Sequence, residues 1–362
     1  MTDDVVASWQ ARIRAAVASR SPIRIRGGGT KDFYGQALAG EVLDTTSCEG
    51  IVDYDPTELV ITVRAGTRLA HVERTMRAEG QMLACEPPRF GEEATIGGFV
   101  AAGLAGPRRP YAGGVRDLVL GVRIVDGKGD DLRFGGRVMK NVAGFDVSRL
   151  MTGALGTLGV LAEVSLRCVP MPKAETTRVF QCPADEAIRM TNEWGGRPLP
   201  VTATAYHAGR LAVRLSGAAP AVEAAVAKIG GVALPGNDRG GAFWRSVREQ
   251  TQPFFLAAAA PGSSLWRLSV KSTAPYTDLD GEQLIEWGGA LRWLHGSDRT
   301  DAARLRAWAG EHGGHATLYR AADKSVGAFH PLGTALRGLH QRLKAAFDPA
   351  GVLNPGRMYP EF

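Results

Sequence analysis

Glycine placement constrains this chain more than any other feature. Forty-six of its 362 residues are glycine, well above the ~7% of ordinary proteins, and they concentrate between residues 27 and 160. Glycine costs backbone entropy, so such clustering marks places where the chain turns with positive φ or where backbone comes close to a ligand. The first cluster, Gly27-Gly28-Gly29 followed by Thr30 and Lys31, comes directly after the β-rich run IRIR. Successive peptide N–H groups there can point at one phosphate, with Lys31 adding charge. A plain turn with surplus glycine is an equal alternative on these residues alone. Neither GxGxxG nor GxxxxGK[ST] is present, which argues against nicotinamide and P-loop nucleotide sites.

Three further clusters follow. Thr95-Ile96-Gly97-Gly98-Phe99-Val100-Ala101-Ala102-Gly103, preceded by Pro87 and Pro88, has the composition needed to lie flat against a planar or phosphorylated ligand, and also that of a tightly packed small-residue helix. Gly113-Gly114-Val115-Arg116-Asp117 comes next, then Gly153, Gly156, Thr157 and Gly159. Near the C-terminus Asn354-Pro355-Gly356 reads as a turn.

The remaining features narrow the class. With 44% hydrophobic and 22% charged residues the chain is globular, and its length suits two domains. The net charge of +6 is spread without a basic run; this points to anionic ligands or partners and away from nucleic acid. Cys48, Cys85, Cys168 and Cys182 are far apart in sequence, a pattern unlike zinc, iron–sulfur or disulfide frameworks and suited to a reducing cytoplasm. The N-terminus lacks the apolar core of a secretory signal, and the longest apolar run, Phe254 to Ala260, is far shorter than the ~20 residues a membrane helix needs. Any membrane contact is expected to be peripheral.

Periodicity predicts an opening amphipathic helix over 5–18 (Val5, Trp9, Ile13, Ala16), a strand at 59–67, a helix over 68–80 ending at Gly80, and a stretch of little regularity over 85–117. A hairpin follows at 118–134 around Asp-Gly-Lys-Gly, and residues 147–170 run from helix through a glycine turn into a buried strand. Pro170 and Pro172 place a domain boundary. Beyond it, strand–turn–strand at 201–217, a helix within 220–231, strands at SLWRLSVKS, QLIEWGG and ALRWLHG, a helix over 299–312 and a strand at 315–320 predict an α+β domain on an antiparallel sheet. The tail is a helix and then a coil. Of the histidines, His312 and His315 form a close pair without an obvious carboxylate, so no metal site is expected. His71, His207, His295, His330 and His340 carry no evident chemistry.

Taken in order, IRIRGGGTKDFYG, TIGGFVAAGLAGPRRPYAGGVRD and LMTGALGTLGVLAEVSLR resemble the FAD-binding domain of the vanillyl-alcohol oxidase / p-cresol methylhydroxylase (PCMH) family, and FDPAGVLNPGRMY resembles the C-terminal signature of its D-lactate and glycolate dehydrogenase branch. The resemblance implies an α+β fold: a two-lobed PCMH-type FAD-binding domain over 1–170, a smaller α+β cap domain with an antiparallel sheet over 171–330, and a tail over 331–362 that returns to the flavin. It implies a non-covalent FAD, because Thr30 stands where covalent members often carry histidine. Gly27, Gly28, Gly29 and Thr30 would meet the pyrophosphate. Pro88, Thr95, Gly97 and Gly98 would line the ribityl and flavin region, with Gly103, Gly114, Arg116 and Asp117 continuing that wall. Gly153, Gly156, Thr157, Gly159 and Val160 would cover the ribityl and adenine end, and Asn354 would reach the ring.

The branch's catalytic His-x-Gly-Asp-Gly-Asn motif is missing, so no catalytic residue is assigned. The implied function is a flavoprotein subunit of a glycolate-oxidising (2-hydroxy-acid) dehydrogenase, passing electrons through flavin to an acceptor other than O2. Its implied partners are a larger FAD-containing subunit and an iron–sulfur subunit, with the 2-hydroxy acid taken either by this chain or by the partner. An assembly subunit with a vestigial flavin site and a self-sufficient D-2-hydroxy-acid dehydrogenase are the alternatives. The expected location is cytoplasmic, or peripheral on the inner face of the cell membrane.

Overall fold

The computed structural model describes residues 2–136, 146–235 and 240–362. The chain divides into two compact units, one formed by Met1–Ala105, Gly114–Met171 and Pro331–Phe362, the other by Gly106–Gly113 and Pro172–His330.

The first unit opens with helix α1 (Thr2–Ser19), then β1 (Ile23–Arg26), β2 (Glu41–Asp44), β3 (Ile51–Asp55), β4 (Val60–Arg64), α2 (Leu69–Ala78), β5 (Gln81–Met82) and α3 (Ile96–Ala102). Helix α4 (Arg109–Ala112) belongs to the second unit. The first unit resumes with α5 (Val115–Leu118), β6 (Val119–Val125), β7 (Asp131–Gly135), α6 (Val147–Leu150), β8 (Val160–Arg167) and β9 (Val169–Pro170).

An antiparallel sheet of order β3-β4-β8-β6-β7 is its centre. Strand β8 is central and covered on both faces, which is why VLAEVSLR is apolar at nearly every position. The β6–β7 turn forms because Asp126 accepts hydrogen bonds from Lys128 N (2.9 Å) and Asp130 N (3.0 Å) while Gly129 takes φ +79°. Helix α1 buries Val6, Trp9, Ile13 and Ala16 against Leu43, Val125, Val160 and Leu353. Val6, rather than Val5, takes the fully buried position. Strand β1 pairs in parallel with β2, and Ile23 bridges Leu353 of the C-terminal tail. The span 85–117, expected to be irregular, contains α3, α4 and α5. They are too short and too glycine-rich to show helical periodicity.

The second unit contains β10 (Ala174–Gln181), α7 (Ala184–Gly195), β11 (Val201–His207), β12 (Arg210–Gly217), α8 (Ala219–Ile229), β13 (Val232–Ala233), α9 (Gly241–Arg248), α10 (Pro253–Ala257), β14 (Ser263–Ser269), β15 (Glu282–Glu286), β16 (Leu291–Ser297), α11 (Ala302–Glu311) and β17 (His315–Arg320). Its antiparallel sheet has the order β13-β10-β12-β11-β15-β16-β14-β17. Alternation on β12 sends Leu211, Val213 and Leu215 towards α7 and α8, and Ala212 towards Trp244 and Val247 of α9. On β14, Trp266 and Leu268 pack against Leu305 and Trp308 of α11. The C-terminal helix, Thr334–Phe347, is part of the first unit.

Candidate functional site

Strand β1 delivers the chain into the Gly27–Gly29 loop, where Gly29 takes φ +70°. These glycines are half-buried. Among the described residues none accepts a hydrogen bond from the N–H groups of Gly27, Gly28 or Gly29. Partly shielded donors without partners are costly unless a ligand or water takes them. Gly27 lines two adjoining, solvent-open cavities in the first unit, and Gly28 and Gly29 line one of them. Ile25, Gly27, Gly98, Ala101, Leu155 and Asn354 line both, which makes them one cleft.

Helix α3 forms one wall. Thr95 caps it by accepting from Gly98 N at 3.2 Å, Ile96 N donates to Thr67 O at 2.9 Å, and Gly97 N donates to Ala65 O at 2.7 Å. Protein acceptors therefore occupy the first N–H groups of this helix, and its contribution to the cleft is shape. The two readings of its composition are both present in the structure. Gly97 packs so tightly that a Cβ would lie 2.9 Å from that of Ala65, whereas a Cβ on Gly98 would meet only Thr95 Oγ1, at 3.2 Å.

The opposite wall is the 151–159 loop, clipped by the C-terminal tail. Leu155 (φ +51°), Gly156 (φ +74°) and Asn354 (φ +43°) all adopt left-handed backbone. Buried Asn354 accepts from Ile25 N at 2.8 Å through Oδ1 and donates to Leu155 O at 2.6 Å through Nδ2. The side chain expected to reach the flavin ring is thus spent on holding β1 and this loop together at the cleft edge. Lys344, buried, donates to Thr157 O (2.9 Å), Asp348 Oδ2 (2.7 Å) and Leu353 O (2.7 Å). Burial pulls its pKa below that of an ordinary lysine, against the pull of Asp348.

The rim is basic. Lys31 lies 5.5 Å from the Phe90 ring centre and donates to Arg89 O at 3.2 Å. Arg24 and Arg26 share Asp32 at 2.7 and 3.0 Å. Arg357 is buried, donating to the carbonyls of Gln36 (2.5 Å), Asp32 (3.1 Å) and Lys31 (3.4 Å), and burial lowers its pKa. A buried guanidinium held on carbonyl oxygens keeps its positive charge at the cleft, where an anionic ligand gains from it. Arg357 was not among the residues expected at the site; its signal is the short spacing from Asn354 in NPGR.

The cleft brings together Gly27, Gly28, Gly29, Thr30, Thr95, Gly97, Gly98, Gly156, Gly159 and Asn354. The other candidates do not line these cavities. Pro88 is buried, and Val160 lies in the core under α1. Gly103 ends α3 at φ +64°, and a Cβ there would lie 3.1 Å from Gly153 Cα, so this pair permits a close backbone approach. Asp117 accepts from Gly114 N at 2.8 Å and caps α5, while Arg116 is exposed. Thr157 turns its hydroxyl to Ala154 O at 2.7 Å. Ala101, Met151 and Leu155 complete the lining, apolar residues that carry no sequence signal of their own.

His312 bonds through Nδ1 to Trp308 O at 2.8 Å and stacks on that indole, while His315 starts β17. Among the described residues no group of three His, Cys, Asp or Glu is placed to hold a metal. No described helix is long and apolar enough to cross a membrane.

A glycine-walled, basic-rimmed cleft beside an antiparallel sheet suits a dinucleotide with a diphosphate. Residues 5–135 match the family model described as "FAD binding domain". The chain is therefore an FAD-binding flavoprotein of PCMH type with an α+β fold. The solved structure of an alkyldihydroxyacetonephosphate synthase shares the fold, with TM-score 0.65 and 14% identity over 96% of this chain and 73% of that one. Glycolate oxidase subunit GlcE of Escherichia coli (strain K12) is 48% identical over 97% of this chain and 96% of its own length. The chain belongs to the glycolate oxidase subunit GlcE family. Glycolate oxidase subunit GlcD of Bacillus subtilis (strain 168) is 34% identical over 160 residues, 44% of this chain and 34% of that protein.

Proposed function

We propose that this chain is the FAD-holding subunit of a glycolate-oxidising dehydrogenase complex, working beside a larger flavoprotein subunit and an iron–sulfur subunit and passing electrons to an acceptor other than O2. The observation that carries the reading is the set of N–H groups at Gly27–Gly29 that no described residue takes, on residues lining a cleft with a buried guanidinium, Arg357, at its rim. Gly27–Thr30 with Arg357 and Lys31 would hold the diphosphate. Thr95, Gly97, Gly98, Gly156 and Gly159 would leave room for the ribityl chain and ring. Asn354 would position the walls. Among the described residues lining the two cavities none is His, Cys or Tyr, which supports non-covalent attachment. When bound, flavin supplies a two-electron acceptor that can release electrons singly. The chain's own residues would hold and orient it.

The test is to purify the chain alone and with its co-expressed partners. A yellow protein carrying one FAD per chain, released by acid denaturation, is expected, with iron–sulfur protein co-purifying from the native host. A colourless chain that still assembles would favour the assembly-subunit reading. Flavin bleaching of the isolated chain by glycolate or D-lactate would favour a self-sufficient dehydrogenase. Peripheral association with the inner membrane face belongs to the same proposal and is checked by salt-sensitive flotation with anionic vesicles.

A further inference from the structure

The second unit carries a cationic cluster that the FAD reading does not use. On β14, Trp266 and Leu268 face α11, so alternation puts Arg267 on the opposite face of the sheet. There Arg267 is paired with Thr317 of β17, and His315 stands two residues along the same strand, on the same face. The Arg267 guanidinium lies 5.2 Å from the ring centre of Trp287, and that of Arg109 lies 4.8 Å from the same ring. Among the described residues no carboxylate pairs with Arg267.

The tryptophan is held in an unusual conformation. Trp287, Gly288 and Gly289 follow one another at φ +56°, +65° and +103°. A bulky residue in left-handed backbone is strained and persists only where its surroundings impose it. Here Trp287 Nε1 donates to Gly106 O at 3.2 Å, and Gly288 N donates to Thr204 Oγ1 at 2.7 Å. Such strain collects at binding sites. Stacking on the indole orients a guanidinium and leaves its N–H edge free for a planar bidentate partner. Desolvation of the ring, with Arg267, His330 and Arg109 adding to it, brings the His315 pKa down to about 4, while the residue as a whole is exposed and open to a ligand. Its imidazole is therefore neutral near pH 7 and can accept a hydrogen bond from a hydroxyl.

We propose that Arg267, oriented on Trp287 and supported by Arg109, forms a binding site for a small carboxylate in the second unit, with His315 as acceptor for a hydroxyl on the adjacent carbon. The ligand class is a 2-hydroxy monocarboxylate; that choice rests on the function proposed above, whereas the carboxylate site does not.

The experiment is calorimetric titration of the intact chain with glycolate, using acetate and inorganic phosphate as comparison probes. Saturable binding of glycolate, tighter than acetate or phosphate, is expected. R267A should weaken glycolate at least tenfold, and R267K should also weaken it because an ammonium cannot make the forked contact. H315Q should reduce the preference for glycolate over acetate. Circular dichroism checks that each variant is folded, and R267K is read if R267A is not. Binding unchanged in the folded Arg267 variants, no saturable glycolate binding, or phosphate bound more tightly than glycolate would overturn the site. Visible flavin absorbance on the same samples reports flavin separately: a colourless chain that binds glycolate defeats the flavin reading alone, and a yellow chain that does not defeats this one alone.

Discussion

Lys344 donates to the Asp348 carboxylate at 2.7 Å across one turn at the end of the C-terminal helix, and both groups are buried. Asp348 in turn accepts from Val352 N (3.2 Å) and Leu353 N (2.8 Å). The ammonium also reaches Thr157 O. One ion pair thereby joins the C-terminal helix, the tail that carries Asn354, and the loop forming one wall of the flavin cleft. Fully hydrogen-bonded, such a pair avoids the desolvation penalty that an isolated buried charge would suffer.

Lys344→Met should leave Asp348 charged and uncompensated, and destabilise the chain by about 3–5 kcal/mol. Urea unfolding measures this. The double variant Lys344→Met/Asp348→Leu should recover part of the loss; equal instability in the single and double variants would show that the pair has no such role.

Asn354→Ala removes the acceptor for Ile25 N and the donor for Leu155 O, about 1–3 kcal/mol for each buried group left unpaired, and sets alanine at φ +43°. Asn354→Gly loses the same bonds without the backbone strain, so it should be the more stable of the two by about 1 kcal/mol. Both should lose flavin more readily on dilution, read by the fluorescence of released FAD.

Gly28 and Gly98 should respond differently. A Cβ at Gly28 would fall on the Glu93 carbonyl oxygen, so Gly28→Ala or Gly28→Val displaces the loop itself and costs about 1–3 kcal/mol of stability together with flavin. A side chain at 28 would therefore enter backbone and not the cleft. Gly98 lines both cavities, and alanine there adds up to ~1 kcal/mol of helix propensity. Gly98→Val should keep the fold and reduce FAD occupancy at least tenfold. Melting temperature and the flavin-to-protein absorbance ratio separate the two effects.

His315 makes stability depend on pH. Its pKa is pulled down to about 4 in the folded chain, by desolvation of the ring and by the nearby Arg267, His330 and Arg109, against ~6.5 when unfolded. The residue is exposed by surface area, so solvent screens the effect and its share of the stability is small. Between those values the unfolded state binds the extra proton, so the stability due to this group is present above about pH 6.5 and is lost as pH falls towards 4. His315→Asn should flatten the urea midpoint over pH 7 to 5 relative to the parent chain. An identical slope in both would remove His315 from the explanation.

Much of the architecture is legible without coordinates. The spacing of Trp9, Ile13 and Ala16 specifies the buried stripe of α1. The Asp126–Gly129 turn specifies a hairpin, and the glycines at 27–29, 97–98 and 156 mark the walls of the cleft. These are local properties, set by which side chains and φ values neighbouring residues allow. The PCMH-type resemblance likewise rests on motif order, which the sequence displays directly.

Other features come from contacts between residues far apart in the chain. Gly28 meets Glu93, Asn354 meets Ile25, Lys344 meets Thr157, and residues 106–113 leave the first unit to join the second. No periodicity reports such pairings, because the direction of a Cβ or an N–H is useful only once its neighbour in space is known. The amino-acid order by itself thus determined the elements, the turns and the small-residue surfaces that a dinucleotide needs. Tertiary structure decided which glycine hydrogens face the cleft and which face backbone, and it placed Arg357 and Arg267 beside carbonyls and an indole. The reason is physical: chain packing, not local propensity, sets whether a polar group is buried, paired or left facing a cavity.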